Sequence, residues 1–185
     1  MKTIVVIIAL FLVTIIRIEA QEKYDTKLPL KIGTELDILP YATGGYYGSV
    51  WIGKGHFRVR PVVSFVNVPS FVIKEGYKEN KLMAYAFLAD YFFKNDFKGF
   101  WIGTGFEYWD ASIIKKEDLL KRNYDNTVFT IGGGYVLNFY KNFYLNPWAA
   151  GHLIIGGNRT VNFPSGDFKP SGFTPEASLK IGWHF

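Results

Sequence analysis

Phe173-Thr174-Pro175-Glu176-Ala177-Ser178-Leu179-Lys180-Ile181-Gly182-Trp183-His184-Phe185 alternates strictly between two kinds of side chain. Successive residues of an extended strand point to opposite faces. Phe173, Pro175, Ala177, Leu179, Ile181, Trp183 and Phe185 therefore share one face. Thr174, Glu176, Ser178, Lys180, Gly182 and His184 share the other. A water-soluble barrel hides its apolar face inside, whereas a membrane barrel turns it to lipid and keeps polar groups in the lumen. The last strand suits the second arrangement.

The same alternation recurs upstream. Turn signals divide the chain into eight period-two segments at approximately 31–39, 45–53, 57–66, 81–93, 99–109, 127–140, 143–155 and 173–185. The connections Gly53–His56, Lys94–Lys98 and Lys141-Asn142 are tight. Val68–Asn80, Asp110–Asn126 and Gly156–Gly172 are long, and Pro40–Gly44 is a short exception. Short and long connections thus alternate, so an up-and-down barrel gathers the short ones at one end. Transmembrane barrels have this asymmetry, and an even strand count puts both termini at the short-turn end. The expected fold is all-β: an eight-stranded antiparallel up-and-down transmembrane β-barrel preceded by a cleaved signal peptide.

With the faces set by the last strand, Phe57, Phe93, Phe100, Phe139, Phe143 and Phe185 face outward beside the short turns. They form the expected periplasmic aromatic girdle. Tyr46 and Tyr108 are placed for the opposite one. The inward face carries both signs of charge, Lys31, Arg58, Arg60 and Lys180 against Glu35, Asp37, Asp90, Glu107 and Glu176. Buried charges must pair or stay wet, and eight strands enclose room for side chains and little else. The expectation is a lumen charge network that plugs the barrel, with Glu107 and Asp90 bridged to Arg58, Arg60 or Lys180. Inward Gly103, Gly105, Gly132 and Gly134 are expected to make room for Trp101, Trp109 and the arginines. Pro61 and Pro147 fall in mid-strand, where a missing N–H breaks a ladder, and bulges are expected there. Trp51 falls inward, which leaves the second strand ambiguous.

Ahead of the barrel, Lys2 precedes an apolar run from Ile4 to Ile16, and Ala20-Gln21 offers a cleavage point. The run is short of the roughly 20 residues of a spanning helix and has signal-peptide flanks. The expected organisation is a signal peptide over 1–20, a periplasmic lead-in over 21–30 and the barrel over 31–185. Cysteine is absent, which removes disulfides, thiol catalysis and thiolate metal sites. The formal charge of +5 loses two basic residues and one acidic residue with the signal and becomes +4. The basic residues are scattered, which gives no nucleic-acid footprint.

At the level of architecture the whole mature chain resembles the small outer-membrane β-barrel families, the OmpA-transmembrane, OmpX and PorT-like group. The most specific element is the ending Ala177–Phe185, whose Ile181, Trp183 and terminal Phe185 look like the signal read by the barrel-assembly machinery of Gram-negative bacteria. Gln21 after the cleavage point looks like exported proteins of the Bacteroidota. The resemblance implies the bacterial outer membrane as location, with its lipids, lipopolysaccharide and the assembly machinery as partners. Unlike the OmpA pattern, the barrel is followed by no peptidoglycan-binding domain in this sequence.

Chemistry is sparse. Some barrels of this size deacylate lipid A with a His-x-Ser pair, but His152 is followed by Leu153-Ile154, and His56 and His184 lie at the short-turn end. A satisfied hydrogen bond in the lumen is the expected role of His152. Gly132-Gly133-Gly134 lies inside a strand, so packing is favoured over phosphate binding. No metal-ligand spacing occurs, and neither cofactor nor catalytic residue is expected. Asp110–Asn126, with Lys115, Lys116, Glu117, Asp118, Lys121 and Arg122, is expected to be a solvated loop with at most one helical turn. The functional expectation is a non-enzymatic barrel with a structural or surface-interaction role, any binding falling to the long loops. The alternatives are a carrier for small hydrophobic molecules with lateral exit through a wall defect at the prolines, a soluble lipocalin-like barrel, and a lipid A-modifying enzyme.

Overall fold

The computed structural model describes residues 28–185, so the signal segment 1–20 and most of the lead-in lie outside the described residues. Eight strands follow in chain order: β1 (Lys31–Asp37), β2 (Tyr46–Lys54), β3 (Phe57–Asn67), β4 (Tyr77–Phe92), β5 (Gly99–Lys115), β6 (Lys121–Tyr140), β7 (Phe143–Gly157) and β8 (Phe173–His184). A short helix, α1 (Ile38–Ala42), lies between β1 and β2. Each strand pairs antiparallel with the next, and β1 pairs antiparallel with β8, so the sheet closes with no free edge. Closure gives every strand a partner on both sides, the condition for a sheet to stand in hydrocarbon.

The alternation read from the sequence is the alternation of the wall. In β3, Phe57, Pro61 and Val63 are exposed while Arg58, Arg60, Val62 and Ser64 are buried. In β5, Phe100, Ile102, Phe106 and Tyr108 are exposed while Trp101 and Glu107 are buried. Trp51 points inward as the phase requires. A Cβ on its β1 partner Gly33 would fall 2.5 Å from the indole, so the missing side chain makes room for the ring. Gly134 similarly leaves space for the Trp101 indole. Gly105 and Gly132 abut Leu88 and Ala150 instead, so the expected service to Trp109 is not what they provide.

Three local expectations are corrected. The first strand stops at Asp37, because the Asp37 carboxylate accepts the Leu39 N–H at 3.1 Å and caps α1. Ile38 and Leu39 thereby leave the strand. Asp110–Asn126 is neither loop nor helical turn: β5 and β6 continue through it as a hairpin, pairing Asp110 with Asp125 and Ile114 with Lys121. The prolines carry no bulge. Ser49↔Val62 and Ile52↔Val59 keep one register on either side of Pro61, with two pairs missing between them. Gly134↔Trp148 and Leu137↔Leu145 do the same around Pro147. On its other side each proline stays in register, with Phe87 of β4 and with Leu179 of β8. Each proline thus costs a short gap in one ladder and leaves the strand order intact. A shallow depression lies on the outer face beside Pro147, where Gly133 and Ala149 add little bulk.

The lumen is filled in layers. At the short-turn end Trp51, Phe92, Phe97, Trp101, Val136 and Tyr144 pack together. At the long-loop end Tyr77, Ala111, Ile113, Tyr124, Val161, Phe163 and Phe168 form a second apolar cluster, drawn from the β5–β6 hairpin and the flanking connections. The long connections therefore fold into a cap with its own core. Lys115 is tied into it by donating to the Gly166 carbonyl at 2.8 Å.

Candidate functional site: the barrel lumen

Between the two apolar layers lie the charged side chains. Their strands bring them together because inward residues of neighbouring strands stand opposite one another. Arg58 and Asp90 are direct partners across β3 and β4. The Arg58 guanidinium donates to Asp90 Oδ2 at 2.9 Å and to Glu35 Oε1 at 2.9 Å, and Arg60 donates to Asp90 Oδ2 at 2.8 Å. Arg58, Asp90 and Glu35 are each at most 2% exposed. Glu35 also accepts from Tyr144 and Asn146. The Arg58 guanidinium is boxed by the faces of Phe92, Trp51 and Trp101, at 4.9, 5.4 and 5.6 Å from their ring centres. The rings supply negative faces to a cation removed from water.

A second cluster sits nearer the long loops. Glu107 does not reach the arginines, contrary to expectation; it accepts from Trp109 Nε1 at 2.7 Å and from the Thr130 hydroxyl at 2.7 Å. His152 Nδ1 meets Thr130 Oγ1 at 2.9 Å, and Nε2 meets Glu176 Oε2 at 3.1 Å. With the Thr130 proton directed at Glu107, Nδ1 must donate, and the carboxylate of Glu176 calls for a proton on Nε2 as well. Glu107, Thr130, His152 and Glu176 thus form one continuous chain of polar contacts from β5 to β8.

Three of the charges named from the sequence, Lys31, Lys180 and Asp37, join neither cluster. Lys31 stands at the short-turn end, 5.9 Å from the centre of the Phe97 ring. Lys180 is 1% exposed, and its ammonium lies within 4 Å of no carboxylate among the described residues; it sits 3.6 Å above the Trp148 ring. Its cross-strand partner Asp37 is occupied by the Leu39 N–H, Trp148 Nε1 and the Ser178 hydroxyl. Trp109, Thr130 and Trp148 are polar partners that sequence reasoning misses. Their inward phase is readable, but which donors meet which acceptors depends on strand stagger.

Between the clusters lies a cavity of about 80 Å³. Val62, Ala84, Ala86 and Leu88 line it from β3 and β4 together with Arg60, the direct partner of Leu88; Glu107, His152, Glu176 and Lys180 line it from β5, β7 and β8. Outside the wall, the six phenylalanines placed beside the short turns are all exposed, between 42% and 70%. Phe139 and Phe143 lie 6.4 Å apart between ring centres, and Trp183 and Phe185 lie 4.1 Å apart. In the β4–β5 turn, partial burial works to raise the Asp96 carboxyl. The Lys98 ammonium 3.2 Å away, with its hydrogen bonds, prevails and holds it below the usual carboxylate range.

No family model and no curated protein matches the sequence. Among solved structures, the crystal structure of Neisserial surface protein A (NspA) matches with a TM-score of 0.54 and 11% identity, over 84% of this chain and 96% of that one. A major outer membrane protein from Thermus thermophilus matches with a TM-score of 0.45 and 11% identity, over 85% of this chain and the whole of that one. The fold is that of the small eight-stranded outer-membrane β-barrels.

Proposed function

We propose that this chain is an integral outer-membrane β-barrel of a Gram-negative bacterium, exported by its N-terminal signal, with a non-enzymatic structural or surface-interaction role. The observation that carries the reading is the wall itself. Ile32, Val50, Phe87, Phe106, Ile131, Leu153 and Phe173 are large, apolar and exposed on strands whose inward residues include buried Glu35, Arg60, Asp90, Glu107 and Lys180. A soluble barrel would leave this surface in water, where monomers rarely carry contiguous apolar patches beyond a few hundred Å². In a bilayer the same surface needs no cover. The exposed phenylalanines serve as the periplasmic girdle, and Tyr46, Tyr85 and Tyr108 as the external one.

The ion-paired layer around Arg58 acts as a plug, so the barrel does not conduct. Contact with lipopolysaccharide or a surface partner falls to the external cap, whose tip exposes Glu117, Leu119, Lys121 and Arg122. Ile181, Trp183 and Phe185 address the chain to the barrel-assembly machinery, and Gln21 carries the Bacteroidota likeness. The unchanged register past Pro61 and Pro147 favours a closed wall over a lateral carrier.

Orientation and insertion are tested together by labelling. The native sequence has no cysteine, so single cysteines report cleanly. A cysteine at Glu117 reacts with a membrane-impermeant maleimide on intact cells, and one at Lys141 reacts only after the outer membrane is opened. Labelling of Lys141→Cys on intact cells, or protection of both until the cells are opened, contradicts the proposal.

A further inference from the structure

The cavity between the two charged clusters serves neither the plug nor the outer wall, and its lining is built for a particular kind of occupant. Val62, Ala84, Ala86 and Leu88 bring carbon to it from β3 and β4, beside Ser64 and Arg60. From the other side Lys180 lines the space, 1% exposed, its ammonium over the Trp148 face and within 4 Å of no carboxylate among the described residues. A second cation, Arg60, borders the same space and is already paired with Asp90. A buried ammonium without an anion is costly, and a protein retains one where an anion from elsewhere completes the site. The carboxylate standing nearest in register, Asp37, is held by three neutral donors and does not fill that role.

We propose that the lumen cavity is a binding site for a small aliphatic monocarboxylate, its carboxylate on Lys180 and its alkyl end against Val62, Ala84, Ala86 and Leu88. Size sets the upper limit. The cavity's ~80 Å³ is roughly half the 150 Å³ of a cavity that admits benzene, so only the shortest carboxylates fit. Acetate and propionate have that size; a long fatty acid does not. A bare halide would satisfy the ammonium but leave the carbon wall without a partner. Glu176, with a side chain 31% exposed, borders the cavity and marks where it opens toward solvent. Its charge, beside that of Glu107, disfavours a dicarboxylate.

The site supplies its own reporters. Trp148 Nε1–H donates to Asp37 and Trp109 Nε1–H to Glu107, both at the cavity, whereas Trp51 Nε1–H donates to Tyr144 in the short-turn layer. The ¹⁵N-labelled indole resonances of the folded barrel in detergent micelles are followed during titration with sodium propionate, against sodium chloride at equal ionic strength. The expected result is a saturable shift of the Trp148 indole with propionate and none for Trp51. The affinity should fall at least tenfold in Lys180→Met, and binding should be lost in Ala86→Phe, which fills the carbon side and leaves Lys180 in place. Two variants keep the test decisive if one fails to fold. No shift with propionate, an equal shift with chloride, or a shift unchanged in the folded variants overturns the proposal. None of these outcomes depends on where the barrel resides in the cell.

Discussion

Asp37 and Lys180 are direct partners across the β1–β8 seam that closes the barrel, yet their charges do not meet. Asp37 is turned toward the start of α1, Trp148 and Ser178, and Lys180 toward the Trp148 face and the cavity. The seam is therefore held by backbone pairing and neutral hydrogen bonds. Lys180→Met, which keeps the length of the side chain and removes the unpaired charge, should raise the stability of the empty barrel by about 1–3 kcal/mol. The urea midpoint for unfolding from lipid vesicles reads this directly.

Arg58 is the opposite case, because two carboxylates depend on it. Arg58→Ala leaves the Glu35 carboxylate buried with neutral donors and no paired cation, and Asp90 with Arg60 alone. It should cost about 3–5 kcal/mol. Arg58→Lys keeps the charge but cannot donate to both carboxylates in the same fork and should fall between. The same urea titration orders wild type above Arg58→Lys above Arg58→Ala.

Phe87 tests the outer face. It is 60% exposed and points away from the lumen. In a bilayer, Phe87→Arg should destabilise by up to about 2–4 kcal/mol, the cost of an arginine near the midplane of a lipid-facing wall. A soluble barrel would gain solubility from the same change. Folding yield into vesicles, compared with Phe87→Leu as a conservative control, separates the two.

Strand number, order and phase are legible because the period-two pattern is long and a one-residue slip would put every greasy residue on the wrong side. Trp51 and the phenylalanines beside the short turns follow from that phase alone. Asp110–Asn126 reads as a loop because its charges look solvated, yet Ala111 and Ile113 are the inward residues of a continuing strand that packs on Phe163 and Phe168 from a distant connection. The meeting of Glu107 with the Thr130 hydroxyl, and with His152 Nδ1 at 3.3 Å, is equally out of reach. It depends on how far neighbouring strands are staggered, and alternation carries no record of that. Nor can alternation show that Asp37 ends its strand by capping α1 and leaves Lys180 alone.

The chain ending supports a prediction that separates assembly from stability. The Phe185 N–H donates to the Ile32 carbonyl, a backbone bond that any residue at the position other than proline can make. Phe185→Ala should therefore leave refolding into detergent almost unchanged and reduce the amount of barrel assembled in cells severalfold. Quantitative immunoblotting of membrane fractions, set beside refolding yields of the purified variant, checks both halves.

The central claim is a closed barrel inserted by its greasy outer face, and electrophoretic mobility tests it most directly. The outer-membrane fraction is run in SDS with and without boiling. A closed membrane barrel keeps its fold in SDS until heated, so the unheated sample should run as a faster, compact band that shifts to the unfolded position on boiling. A single unchanged band, with the protein recovered from the soluble periplasm, would contradict the account.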